Sequence, residues 1–175
     1  MIPSQERKES MRRILDFVSF VLLGAVLLAT WAALFGPVQL AEKIPTHLDS
    51  FGQPDAWAPR SSLEILPMIA VIVYLLLTVV AAYSSLAKHA AQEGPESGPP
   101  FEELILKLIV SIKAELMGIF ICIQLSSIHA ARHLDDRSSF WSACMWILLV
   151  VIFATVAWYL TAMIRMEKSR EQVTP

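Results

Sequence analysis

Long apolar runs constrain this chain more than any other feature. The stretch 14–35 is apolar apart from Asp16 near its start. At about 1.5 Å per helical residue it covers the roughly 30 Å hydrocarbon core of a bilayer. Lipid offers no water to backbone N–H and C=O groups, so such a segment crosses as a helix. Similar stretches follow at about 62–86, 104–128 and 140–163. The expected fold is an all-α integral membrane protein, with four transmembrane helices in an up-down bundle. That bundle occupies 14–164, between a polar tail at 1–13 and a short tail at 165–175. Its expected partner is the lipid bilayer. A basic start before an apolar stretch also fits a signal peptide, but signal h-regions run to about 15 residues, and this stretch is longer.

Composition agrees: 55% of residues are hydrophobic and 17% charged. A soluble domain of this size carries more charge. The net charge of −2 gives no sign of nucleic-acid binding. Cys122 and Cys144 both fall inside apolar segments, which excludes a secreted disulfide scaffold and favours small buried side chains.

Basic residues set the expected orientation. Arg7, Lys8, Arg12, Arg13, Lys88, Lys107, Arg165, Lys168 and Arg170 fall on one side of the alternating spans; Lys43, Arg60, Arg132 and Arg137 fall on the other. The positive-inside rule then places both termini in the cytoplasm, with the first loop outside. Trp141 and Trp146 near one end of the fourth span, and Trp158 and Tyr159 near the other, suit the two interfaces. Ser61-x-x-Glu64 fits a capping box at the start of the second helix, and Pro67 is placed to kink its early turns. Pro100 before Glu102 and Glu103 marks the start of the third.

The first loop, 44–60, reads I-P-T-H-L-D-S-F-G-Q-P-D-A-W-A-P-R. A plain linker needs only small and polar residues. This one combines prolines, a glycine suited to a turn, a histidine, acids, a tryptophan and an arginine. An ordered extracytoplasmic loop is expected, with Pro45 and Pro59 at its ends, Gly52 in a turn, and Asp55 and Arg60 closing its far side. His47 is the residue that structure explains least, so it is the candidate for ligand contact or pH sensing.

The spacing Pro45-x-His47-x-Asp49-x-x-Gly52-x-x-Asp55-x-Trp57-x-x-Arg60 resembles the loop signature of a bacterial membrane family called domain of unknown function 1648. That domain also forms the front part of SdpI-type immunity proteins. The resemblance covers the first span, the loop and the start of the second span. The run Lys113-Ala-Glu115-Leu, with Gln124 further on, resembles the third span of short family members. Longer SdpI-type members continue into further spans, whereas this chain is expected to stop after four. The resemblance implies sensing of, or immunity against, a membrane-active peptide, with a peptide toxin or a membrane-recruited regulator as partner.

Asp16, Lys113, Glu115 and Gln124 are the polar residues set within the expected spans. A charged side chain at a helix centre costs about 2.5–3.5 kcal/mol on insertion scales. Lys113 and Glu115 are two positions apart and point about 200° away from each other, so each needs a partner elsewhere. Lys113 shares a stripe with Met117 and Gln124; it either reaches the cytoplasmic headgroups or meets Asp16. Glu115 shares a second stripe with Gly118, Cys122, Ser126 and His129, a small and polar face suited to helix packing.

Two further functions compete with peptide recognition. Lys113 and Glu115 suit a small transporter or an ion- or proton-conducting subunit, although inverted repeats and broken helices are not evident. A membrane enzyme would use the loop His and Asp residues. No nucleophile elbow, HExxH, Walker A, GxGxxG or paired CxxC motif occurs, so no catalytic residue, metal site or cofactor is expected. His47, Asp49 and Asp55 have the chemistry of metal ligands but lack metal-site spacing. His129 and His133 are four apart near the same surface, which fits a solvated helix end as well as a site.

Overall fold

The computed structural model describes residues 4–37, 40–49, 54–91, 100–132 and 139–171. The protein is mostly helical, with α1 at Ser4–Phe35, α2 at Ile65–Ala91, α3 at Pro100–Arg132 and α4 at Ser139–Glu171. Three stretches are helical, long and apolar enough to cross a membrane: Glu9–Phe35, Arg60–Ser84 and Ala143–Lys168. They overlap the first, second and fourth expected spans. The expected third span lies in α3, which carries Glu103, Lys107, Lys113 and Glu115 among its apolar residues.

The centre of the molecule explains how α3 tolerates those charges. It packs against α1, α2 and α4, whereas α4 packs chiefly against α3. Its charged side chains can therefore find partners on neighbouring helices. Three apolar clusters fill the space around it. Ala81, Leu106 and Val110 form one near the α3 start; Leu23, Val26, Ala70 and Met117 form the middle one; Ala33, Leu40, Ile44, Leu63, Ile128 and Ala131 form the third. Outward faces carry large apolar side chains instead, such as Phe20, Trp31, Ile72, Val79, Phe153 and Trp158.

The connection between α1 and α2 adds a short hairpin to the expected helices. It contains β1 at Lys43–Leu48 and β2 at Pro54–Pro59, paired antiparallel. Prolines made this segment look like turns. In an antiparallel ladder, however, bonded and non-bonded pairs alternate. The Arg60 N–H donates to the Glu42 carbonyl at 2.9 Å. The register Lys43–Pro59, Ile44–Ala58, Pro45–Trp57 then puts Pro59 and Pro45 in non-bonded pairs. Their missing N–H groups face away from the partner strand, so neither proline breaks the ladder.

The start of α2 also differs from expectation. Ser61 and Glu64 do not form a capping box: Arg60–Glu64 is a 3₁₀ turn, entered from Pro59 without a side-chain cap. The helix proper begins at Ile65, and Pro67 is its third residue. Its absent N–H is there one of the donors that a helix start leaves without intrahelical partners.

Candidate functional site

Two groups of polar residues stand out. The first is on the hairpin. Ile44 and Pro45 are fully buried and seat β1 on the end of the bundle, with Leu40, Leu63 and Ile128 around Ile44. The register then shifts twice, between Pro45 and His47 and between His47 and Leu48. Thr46 is the extra residue on β1, and Asp55 the extra residue on β2. Bulges re-aim side chains, and here His47 and Asp55 meet: Nδ1 lies 2.5 Å from Oδ1, with both side chains exposed.

Asp55 therefore pairs with His47 across the hairpin, not with Arg60 as expected. Arg60 is exposed and contributes its backbone N–H to Glu42. Asp49 is half-buried and follows directly after β1. Trp57 is 49% exposed on β2, so it is less a buried anchor than a surface aromatic. Gly52 and His133 lie outside the described residues. His129 is half-buried in the last turn of α3. Among the described residues no cluster of three or more His, Cys, Asp or Glu is arranged to hold a metal.

The second group lies along α3. Lys113 is 2% exposed. Its Nζ donates to Asp16 Oδ1 of α1 at 2.6 Å and to Thr78 Oγ1 of α2 at 3.4 Å. It also sits 5.0 Å from the centre of the Tyr74 ring, within cation–π range. Of the two sequence alternatives for Lys113, the geometry selects the meeting with Asp16. Asp16 is partly exposed and also faces Arg12 at 3.9 Å.

Further along the same stripe, buried Gln124 donates from Nε2 to Thr30 Oγ1 at 2.8 Å and to the Leu63 carbonyl at 3.3 Å. Thr30 in turn donates to the Val26 carbonyl at 2.8 Å. These bonds join α1, α3 and the 3₁₀ turn below the hairpin. Glu115 faces the other way. It accepts from Thr155 Oγ1 of α4 at 2.6 Å through Oε1, while Oε2 is buried without a hydrogen-bond partner.

Thr30 and Thr155 were not singled out from the sequence. A threonine inside an apolar helix can satisfy its hydroxyl on its own helix backbone, as Thr30 does, so it carries no visible demand for a partner. Searches against family models, curated proteins and solved structures find no match to this chain.

Proposed function

We propose that the chain is a four-span bacterial inner-membrane protein of the domain-of-unknown-function 1648 type, whose outer hairpin recognises a membrane-active peptide. Both termini are cytoplasmic in this reading. The observation that carries it is the exposed His47–Asp55 pair, presented beside Trp57 on a hairpin seated by buried Ile44 and Pro45. A rigid base with an exposed imidazole, carboxylate and indole is a surface built for contact. An indole at a bilayer interface also suits a peptide that arrives along the membrane. In this reading α3 crosses the bilayer as the third span, with α1, α2 and α4 around it.

The competing conduction reading needs a hydrated route past Lys113. The Lys113 and Gln124 sites are eleven residues apart on α3, about 16 Å along the axis. Buried Leu23, Val26, Ala70 and Met117 fill the level between them. That apolar layer weighs against conduction, and Lys113 is engaged by Asp16 of α1 and by Thr78 and Tyr74 of α2.

The test is protection. A sensitive host expressing the protein is challenged with a panel of membrane-active peptides. Protection is expected with the natural chain and is lost in His47→Ala and Asp55→Asn, with membrane insertion and melting temperature nearly unchanged. Protection unaffected by both substitutions removes the hairpin from the function. Loss of protection only on Lys113→Leu turns the assignment to the bundle interior.

A further inference from the structure

The α3–α4 seam carries a pair of thiols that recognition by the hairpin does not use. Glu115 of α3 meets Thr155 of α4. Gly118 faces Leu148, whose methyl carbons lie 3.5 and 3.6 Å from the position a Cβ would take. Numbers rise along α3 as they fall along α4, so the helices run antiparallel at this seam. Four residues beyond the Gly118–Leu148 contact, on each helix, stand Cys122 and Cys144. A step of four keeps a side chain on the same face of a helix. Both sulfurs therefore stay on the seam and at the same level.

Other observations agree with that placement. Both cysteines are free, half-buried, and close enough to interact electrostatically. A disulfide requires Cα atoms within about 7 Å of each other. Small residues at a helix seam favour such an approach, and Gly118 lies one turn away.

We infer that Cys122 and Cys144 form a reversible dithiol site, closed to an intramolecular disulfide by a lipid-soluble oxidant of the quinone class. Both S–H bonds break and one S–S bond forms. The two protons and two electrons released reduce the quinone to its hydroquinone. The oxidant class follows from the location. Cys144 is the second residue of the apolar stretch Ala143–Lys168, at its end where a quinone head group reaches the bilayer surface, and Cys122 is on the α3 face packed against it. Charged, water-soluble oxidants partition poorly into such a place, whereas a quinone dissolves in it.

Closure has a structural consequence. Because α4 packs chiefly on α3, its hold in the reduced protein rests on seam packing and the Glu115–Thr155 bond. A disulfide adds a covalent tie near the start of α4. This holds whatever the hairpin binds.

The test uses the full chain, purified reduced in a lipid-containing micelle. One sample receives a short-chain benzoquinone and another tetrathionate, a charged water-soluble oxidant. Each is then denatured and its thiols are counted with a maleimide mass tag. The quinone is expected to take the count from two to zero with no covalent dimer, and a reductant to restore it. Cys122→Ser and Cys144→Ser each retain one taggable thiol under the same treatment. Two thiols surviving both oxidants overturn the pairing. Closure by the water-soluble reagent alone overturns the lipid-phase oxidant. A disulfide-linked dimer in place of the internal bridge overturns the intramolecular site.

Discussion

Lys113 and Asp16 are unequal partners. The lysine is almost wholly buried, while the Asp16 side chain keeps 38% of its surface exposed. Removing one member of a buried pair is harmful mainly because it leaves the other charge without compensation. Lys113→Leu leaves Asp16 with water and Arg12, so a small loss of stability is expected. Asp16→Leu strands a buried ammonium, with only the Thr78 hydroxyl and the Tyr74 ring left to it. That change is expected to destabilise by about 3 kcal/mol, the low end for a broken buried pair because Asp16 is itself partly solvated. Asp16→Leu combined with Lys113→Met is expected to recover most of the loss. Melting temperature in detergent checks all three, and equal effects of the two single changes would count against the asymmetry. Gln124→Leu is milder: it gives up hydrogen bonds that average about 0.6 kcal/mol each in membrane proteins, so a loss on the order of 1 kcal/mol is expected from the same melts.

At the scale of elements, the hairpin divides its residues between holding and presenting. Ile44 is fully buried at the bundle end, whereas half of Trp57 is exposed. The buried residue Ile44, not the exposed Trp57, anchors the loop. Ile44→Ala is expected to lower stability by about 2–5 kcal/mol, the range for truncating a buried isoleucine. Trp57→Ala is expected to leave melting nearly unchanged and to reduce peptide protection. A large fall in melting temperature on Trp57→Ala would reverse this division. The helices were legible because an apolar run about 20 residues long has few other destinations. The strands were not. They are six residues each, bracketed by prolines that usually mark loops, and only the ladder register shows why Pro45 and Pro59 fit. The His47–Asp55 pairing depends on two successive bulges, and no residue spacing announces those. Lys113 with Asp16 was legible as an option, because up-down order brings the start of α1 near the first half of α3. Thr155 beside Glu115 required the α3–α4 register, which sequence alone does not reveal.

The whole molecule is arranged around α3. Three helices carry the broad apolar faces, and α3 lies against all of them with its charges turned to their inner sides. In the four-span reading this arrangement accommodates Lys113 and Glu115, since intramembrane charges face a bundle interior and pair there. This arrangement has a consequence for topology. If only α1, α2 and α4 cross, three crossings put the two termini on opposite sides. If α3 crosses as well, four crossings put them on the same side. The four-span reading therefore expects both ends to be shielded from an impermeant thiol reagent applied outside intact cells. In a Cys122→Ser, Cys144→Ser background, a single cysteine at Glu9 near the start of α1 and one at Lys168 near the end of α4 should both stay unlabelled until the membrane is opened. One at Thr46, exposed on β1, should label at once. Labelling of the Lys168 position from outside, with the Glu9 position still protected, would mean that α3 lies within one leaflet or at its surface. The Lys113–Asp16 pair would then be interfacial, but Lys113 is buried by protein side chains in either topology, so the destabilisation expected from Asp16→Leu would remain. Labelling thus decides whether α3 is the third span, while melting reports the buried Lys113–Asp16 pair in either topology.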